Sequence, residues 1–283
     1  MRSILITGGT GSFGQAFTER LLKDELASRI CIYSRGEHDQ AYMRRRLGED
    51  KRLRFFIGDI RDLQRLGRAV SGCHVIVHAA ALKRIEVGFY NPEEMVKTNV
   101  IGAMNVVEAA QECGVEKVVA LSTDKAFQPI SPYGHSKALA EQVFLSSNNT
   151  GGQKGPRFAV TRYGNVFDSS GSVAPTWRQM LEDGETHVPM TDPECTRFFM
   201  WMDEAIDLVL HTIKTMKGGE INVPKLPAYR LGDLAAAFRA QTIITGLPKW
   251  EKRHESMDAN NCSENAPRLS TDELRIALGY HYA

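Results

Sequence analysis

The apolar positions of the chain fall into two rhythms. Short runs rich in β-branched residues recur at "SILIT", "RICIY", "RLRFFIG", "HVIVHAA" and "KVVALS". Between them, apolar residues return at helical spacing over Phe13–Leu26, Pro92–Cys113 and Ser136–Ser147. Strands separated by helix-length segments need crossover connections, which predicts βαβ units in a parallel sheet. The runs are solidly apolar rather than alternating, which predicts a sheet covered on both faces. Pro92-Glu93-Glu94 suits the first turn of its helix, and Gly114 the position just past its end.

Beyond about residue 155 the rhythm is less regular. "RFAVTRYGNV" predicts a strand and then a loop, "MDEAIDLVLHTIKTM" an amphipathic helix, "GEINVP" a short strand and "RLGDLAAAFRA" another helix. "KWEKRHESMDANNCSENAPRLS" is polar and almost aperiodic, and predicts a loop that becomes ordered over something, before a last helix near Thr271–Leu278. Asn148–Gly155 predicts a flexible surface loop. The expected fold is α/β. A Rossmann-type doubly wound parallel sheet covers residues 1–165, and a smaller, mixed substrate-binding region covers 166–283, interleaved through strands that return to the main sheet.

Composition narrows the function classes. The 283 residues are 42% hydrophobic and 24% charged, which is ordinary for a globular chain. With 35 basic and 34 acidic residues the net charge is +1, so nothing in it calls for nucleic acid or an anionic membrane. Any anion site must be local. Five cysteines, Cys31, Cys73, Cys113, Cys195 and Cys262, are scattered without metal-ligand spacing, so no metal is expected. An odd count without a framework fits reduced thiols and a cytoplasmic location. The start lacks a signal-peptide shape, and no run approaches a membrane span. A homo-oligomer is expected.

"LITGGTGSFG" puts Gly8, Gly11 and Gly14 between the first strand and the first helix. Gly8 permits a tight turn, Gly11 lets a pyrophosphate approach the backbone, and Gly14 lets the helix pack on the sheet. Thr10, Ser12 and Phe13 complete this candidate cofactor loop. At the end of the second strand stand Ser34 and Arg35, a hydroxyl and a guanidinium suited to a 2′-phosphate, which favours NADP. The alternative is a solvated Arg35 with Glu37 on the ribose of NAD. In "GDIRD", Asp59 could accept from an adenine amino group with Ile60 against the ring; Asp62 reads equally as the N-cap of the next helix.

The stretch "STDKAFQPISPYGHSK" follows the fifth strand. Tyr133 and Lys137 stand four apart, on one face of a helix. A cation there favours phenolate, which makes Tyr133 a usable base for an alcohol proton.

"LITGGTGSFG", "FFIGDIRD", "HAAALK", "KTNVIGAMNV", "LSTDKA", "YGHSK", "TRYGNV" and "TRFFM" together resemble the extended short-chain dehydrogenase/reductase family of nucleotide-sugar enzymes. Within it they look like the inverting UDP-N-acetylglucosamine 4,6-dehydratases of polysaccharide biosynthesis. The resemblance runs from residue 3 to about 240. Retaining 4,6-dehydratases carry Asp-Glu where this chain has Asp124-Lys125, and inverting ones carry Asp-Lys. The implied substrate is UDP-N-acetylglucosamine or a related nucleotide sugar, and the product a 4-keto-6-deoxy sugar nucleotide. In the implied chemistry Tyr133 takes the O4 proton as hydride passes from C4 to NADP+. Lys125 then removes the C5 proton while Asp124 protonates the departing C6 hydroxyl. Hydride returns to C6, and C5 is reprotonated from the opposite face. As a base Lys125 needs a lowered pKa, from burial or a cationic neighbour such as Lys137.

The resemblance further implies that Thr123 donates to O4 and that Asn99 supports the active-site backbone. Ala79, Ala80 and Ala81 would lie against the cofactor, with Lys83 over the nicotinamide or substrate. Asn165 would reach the substrate phosphates, Arg197 the phosphate or sugar, and Glu255 the substrate.

Four departures fall on the substrate side. After "HAAALK" the family carries a Pro, and a Glu before its Tyr/Asn-Pro; this chain has Glu86 and Phe89. A Gly-Ser-Arg-Gly loop is replaced by "FDSSGS", with Asp168 and Ser170. The diphosphate-holding Arg of Arg-Pro-Gly-Glu-Lys is replaced by Leu247, with Lys249, Lys252 or Arg253 as substitutes. The C-terminal part is also short. Two rival functions remain open. A 4-epimerase, or another oxidoreductase of this family, would use Tyr133 and the cofactor without Lys125. A non-enzymatic NADP-binding regulator would have no use for the Tyr/Lys pair.

Overall fold

The structure, a computed structural model, describes residues 1–152, 155–169 and 171–280. The chain begins with β1 (Ser3–Thr7), α1 (Ser12–Lys23), β2 (Arg29–Ser34), α2 (Glu37–Leu47), β3 (Leu53–Ile57), α3 (Leu63–Val70) and β4 (Val75–His78). There follow α4 (Ile85–Tyr90), α5 (Pro92–Met95), a π-helical turn Val96–Ile101, α6 (Gly102–Glu112), β5 (Lys117–Thr123), α7 (Pro132–Ser146) and β6 (Arg157–Tyr163). Next come α8 (Val173–Glu182), β7 (His187–Met190), β8 (Thr196–Phe198), α9 (Met202–Thr215) and β9 (Ile221–Asn222). The chain then forms β10 (Ala228–Arg230), α10 (Leu231–Phe238), β11 (Gln241–Ile244), β12 (Ser256–Asp258), β13 (Asn261–Cys262) and α11 (Thr271–Ala277).

Two compact units result, interleaved along the chain. The first comprises Met1–Ser122, Pro132–Arg162 and Ile206–Asn222; the second comprises Thr123–Ser131, Tyr163–Ala205 and Val223–Ala283. The segment 206–222 belongs to the first unit because β9 pairs with β6 there.

The first unit is a Rossmann-type α/β layer built on a seven-stranded sheet ordered β3-β2-β1-β4-β5-β6-β9. That order, which reverses direction between β1 and β4, places a switch point at their C-terminal ends, where dinucleotides bind in such sheets. β1 runs parallel to β2 and β4, β2 to β3, β4 to β5, and β6 to β9. All five residues of β1 are buried, as the solid apolar pattern requires. Edge strand β3 is only half-buried. Leu5, Ile76, Val118, Phe144 and Phe158 lie in one core cluster with Leu66 and Val106 of α3 and α6.

Among the described residues the second unit holds three two-stranded sheets: antiparallel β8–β10, parallel β7–β11 and antiparallel β12–β13. Its core gathers Trp177, Phe199, Tyr229, Leu234, Phe238 and Leu274. A capping box at Ser270 and Glu273 starts α11.

Several expectations shift. α1 stops at Lys23 rather than Leu26, where the chain turns through Glu25 at φ 52°. The single helix expected over Pro92–Cys113 contains the π turn. α7 begins at Pro132, a residue preorganised for a first turn, so Tyr133 lies inside the helix. The polar stretch expected as a loop contains β12 and β13. Of the expected flexible loop, Gln153 and Lys154 lie outside the described residues, as does Ser170. Asn148, at its start, is pinned: its amide accepts from Phe158 N at 3.0 Å and donates to Phe158 O at 3.0 Å. Asp62 is the N-cap of α3, accepting from Arg65 N at 2.9 Å.

Candidate active site

In the first unit the glycine loop is dictated by crowding. Gly8 has φ +64°, and a Cβ there would stand 2.8 Å from the backbone of Ala80. Ala79 N donates to Thr7 O at 3.2 Å and Ala80 N to Thr7 Oγ1 at 3.3 Å, so the segment after β4 crosses this turn. A Cβ on Gly14 would lie 2.6 Å from Gly9, which fixes how closely α1 approaches the loop. Gly11 caps α1 without a side-chain bond. The first turn of α1 thus begins with its N-terminus at the glycine loop, where the helix dipole favours an anion. Thr10 is half-buried, and the Phe13 ring stacks on Phe17 at 5.3 Å. Ala81 is half-buried beside Ala80, and Lys83 is exposed two residues on. These features fit a dinucleotide.

The ribose end differs from expectation. Ser34 is buried, and its hydroxyl accepts from Gln40 Nε2 at 2.9 Å. Arg35 is exposed and approaches Asp59 Oδ2 at 4.0 Å. The Asp59 carboxylate is already held by Arg61 N at 2.9 Å and Arg61 Nη2 at 2.7 Å. Ile60 belongs to the core, 4% exposed, and is packed so closely that a Cβ on Gly102 would meet it.

Asn99 lies in the π turn, a distortion common at functional positions. Its amide accepts from Leu82 N at 2.8 Å and donates to Leu82 O at 2.9 Å and Ser136 Oγ at 2.9 Å. It thus ties the segment after β4 to α7. On α7, Tyr133 is half-buried and Lys137 is buried. Lys137 Nζ donates to Leu121 O at 2.7 Å. Burial lowers its pKa to about 8, against the opposing carboxylate of Glu141. Glu141 is itself buried, accepting from Ser122 Oγ at 2.6 Å and Arg162 Nε at 2.9 Å.

The second unit carries the remaining charged groups. Thr123 caps the short turn Asp124–Ala126 by accepting from Lys125 N at 3.3 Å. Its own proton goes to Asp124 Oδ1 at 2.9 Å. Asp124 is fully buried, and its Oδ2 has no hydrogen-bond partner among the described residues. Lys125 Nζ lies 3.1 Å from Asp124 Oδ1 and 3.2 Å from Glu255 Oε1. Burial alone would push the Lys125 ammonium down, but Asp124 and Glu255 outweigh it, with Arg197 opposing, and hold it above the ordinary lysine range. Of these two lysines Lys137 is lowered and Lys125 raised, the reverse of what a base at position 125 requires.

Glu255 is 2% exposed, and its Oε2 has no hydrogen-bond partner, with Lys252 Nζ 3.8 Å away. Arg197 is buried and spent on protein: it pairs with Glu251 and donates to Thr196 O at 2.7 Å and Arg253 O at 3.1 Å. It anchors the segment carrying Glu255 rather than standing open for phosphate. Asn165 has a buried Oδ1 without a partner among the described residues, as a ligand-directed amide would. Of the cations offered in place of the missing Arg, Lys252 donates to Phe127 O at 2.7 Å, Arg253 pairs with Asp192, and Lys249 is exposed. Asp168, where a Gly was expected, holds φ +57° and pairs with Arg178 at 2.8 Å.

Residues 4–272 match the polysaccharide biosynthesis protein family. The chain belongs to this family. Among its relatives is a UDP-N-acetylglucosamine 4,6-dehydratase (inverting) of Campylobacter jejuni, 42% identical over 264 residues, or 93% of this chain and 79% of that one. A UDP-glucose 4-epimerase of Rickettsia akari is 39% identical over 265 residues, 90% of this chain and 77% of that one. The structure of Pen from Bacillus thuringiensis superposes with a TM-score of 0.93 at 28% identity, covering 99% of this chain and 98% of that one.

For this polysaccharide biosynthesis protein, sequence reasoning missed Gln40, Glu141, Glu251, Tyr229 and Ser263. Tyr229 is buried beside the Lys125 group, and burial raises its phenol to about 12. Ser263 Oγ accepts from Glu255 N at 2.9 Å and holds that residue in place. Glu251, in the charge-dense "EKRHE", carried a signal; the other four stand in unremarkable surroundings in the sequence.

Proposed function

We infer that the chain is a nucleotide-sugar 4,6-dehydratase of the inverting type, acting with NADP on UDP-N-acetylglucosamine or a related nucleotide sugar. The observation that carries this is the ion pair of buried Asp124 with half-buried Lys125 at the end of β5, with the Tyr133–Lys137 pair on the helix that follows. An enzyme that only oxidises C4 has no need of the first pair. Its 42%-identical relative with that activity supports the same assignment. The N-terminus of α1, with Gly8, Gly11 and Gly14, would hold the pyrophosphate, and Ala79–Ala81 would border the cofactor. When bound, the nicotinamide ring supplies the hydride acceptor and donor. Tyr133 takes the proton from the sugar O4, helped by the Lys137 cation one helical turn on. Asp124 and Lys125 handle the protons at C5 and C6. Asn165 serves the phosphates.

NADP over NAD rests on Arg35, exposed at the end of β2, since Ser34 is engaged by Gln40. Arg35→Asp should weaken NADP binding far more than NAD binding, by about 1.5–3 kcal/mol. Equal binding of both cofactors before and after the change would remove the preference. A cytoplasmic enzyme fits the five free cysteines, and among the described residues no helix is long and apolar enough to cross a membrane. A homo-oligomer would cover the exposed Val96, Ile101 and Met104.

The deciding experiment incubates the protein with UDP-, dTDP-, GDP- and CMP-sugars and follows loss of water by mass. UDP-N-acetylglucosamine or a near relative should lose one water, and in heavy water the product should carry deuterium at C5. The second assignment, a 4-epimerase, is favoured by the 39%-identical epimerase. It predicts a product of unchanged mass, inverted at C4.

A further inference from the structure

One buried carboxylate of the first unit has no part in the chemistry described so far. Glu141 is 3% exposed and stands four residues after Lys137, so the two side chains share a face of α7. Glu141 Oε1 accepts from Ser122 Oγ at 2.6 Å and from Arg162 Nε at 2.9 Å, and Oε2 from Arg162 Nη2 at 2.5 Å. Lys137 Nζ donates to Leu121 O at 2.7 Å. Leu121 and Ser122 are successive residues of β5. The helix is thus fastened to the end of one strand at two neighbouring points, by the lysine and by the glutamate. Tyr133 stands one turn before Lys137 on that same face.

The titratable and charged groups around Lys137 are Tyr133 and Glu141 on α7, His78 at the end of β4 and Arg162 on β6. His78 is bonded through Nδ1 to Thr7 Oγ1 at 2.8 Å, and burial, with Lys137 adding to it, holds the ring neutral. Lys137 is buried, so water does little to compensate its ammonium charge. Glu141 is the carboxylate placed to do so. A buried ion pair such as Glu141–Arg162 is commonly no more stabilising than apolar residues of the same volume, so stability alone does not account for it.

We propose that Glu141 is the positioning residue of the Tyr133 base: its carboxylate keeps Lys137 protonated and fastened beside β5, and through Lys137 it sets the pH range over which Tyr133 takes the sugar O4 proton. The proposal rests on the assignment of Tyr133 as the base, which the dehydratase and epimerase readings share. Lys137 titrates near 8 with Glu141 in place, burial pulling down and the carboxylate pulling up. Without the carboxylate it should titrate about one unit lower. Cationic Lys137 favours the phenolate. Loss of its proton as pH rises weakens the base and gives the rate an alkaline limb. Removing the charge of Glu141 moves that limb to lower pH.

Turnover of UDP-N-acetylglucosamine is measured from about pH 6 to about pH 10 in wild type, Glu141→Gln, Glu141→Asp and Arg162→Gln, each checked for folding by circular dichroism. Glu141→Gln should approach the wild-type rate near pH 6, run about fivefold below it near pH 8 and carry its alkaline limb about one unit lower. Glu141→Asp keeps the charge and should bring the limb back to within a few tenths of a unit. Arg162→Gln breaks the same clamp but leaves the carboxylate, so its limb should not move down. An equal loss of rate at every pH in Glu141→Gln, or a lowered limb in Arg162→Gln, makes Glu141 merely structural and overturns the proposal.

A second measurement needs no substrate. The stability difference between a protein and its Lys137→Met derivative rises with pH once the folded lysine loses its proton. In urea unfolding the rise should begin near pH 8 in wild type and at about pH 7 in the Glu141→Gln background. If Glu141→Gln fails to fold, Glu141→Gln combined with Arg162→Gln, which leaves neither charge of the clamp unpaired, takes its place with the same direction expected. If wild type turns over no nucleotide sugar, the functional assignment fails and takes the base with it, an outcome visible before any variant is compared. An active wild type whose onset is unchanged by Glu141→Gln overturns this proposal alone.

Discussion

Burial lowers the pKa of Lys137, and burying an ammonium costs stability wherever it is charged. Folded Lys137 titrates near 8, against an ordinary 10.5. Below about pH 8 both states carry the proton and the cost is present in full. Between about pH 8 and 10.5 the folded state binds fewer protons than the unfolded one, so stability rises with pH. Relative to Lys137→Met, wild type should therefore gain about 2–3 kcal/mol between pH 7 and pH 10 in urea unfolding. A difference that stays constant over that window would mean that Lys137 is not charged and buried as described. Its neighbour on the helix gives a sharper test of chemistry. Tyr133→Phe keeps the ring and should lower turnover by about two to four orders of magnitude with the fold intact. Near-normal turnover would assign the O4 proton to another group.

Among the elements, the π turn has the most specific job. Asn99 is presented there so that one amide satisfies both backbone groups of Leu82 and reaches Ser136. Asn99→Ala leaves those groups without partners and should cost about 1–3 kcal/mol, read from the urea midpoint at unchanged slope. A shift within error would show that water replaces the amide without loss. The strands of the main sheet were legible because buried parallel strands are solid apolar runs. The glycine loop was legible because turn, close approach and packing each demand glycine at fixed spacing. The π turn was not, since it disturbs the helical period by a single residue. β12 and β13 were hidden for a related reason: strands of three and two residues carry no period at all. The charge state of Lys125 was illegible for a different one. Its second carboxylate, Glu255, is remote in sequence, and only the fold brings the two together.

At the scale of the whole molecule, the chain changes unit after residues 122, 131, 162, 205 and 222. The fragment 1–165 would lack β9, which pairs Ile221 and Asn222 with Val160 and Thr161. It would also lose the Arg20–Asp207 ion pair and the bond from Lys117 to Ile213 O at 2.6 Å. The exposed edge of β6 becomes a template for self-association. The fragment should aggregate or melt without a cooperative transition in calorimetry, whereas the full chain melts cooperatively. A soluble, cooperatively melting fragment would show that 206–222 is dispensable to the first unit.

The same threading limits how such a gene can recombine. A single crossover between two homologous genes would join half of one parent's first unit to a mismatched return segment from the other. Where it falls between residues 125 and 255 it would also separate the codons for Asp124 and Lys125 from that for Glu255, so that the ion pair and its second carboxylate come from different lineages. Productive hybrids must exchange several short blocks together. Change in this gene is therefore expected to accumulate by point substitution rather than by swapping of whole modules.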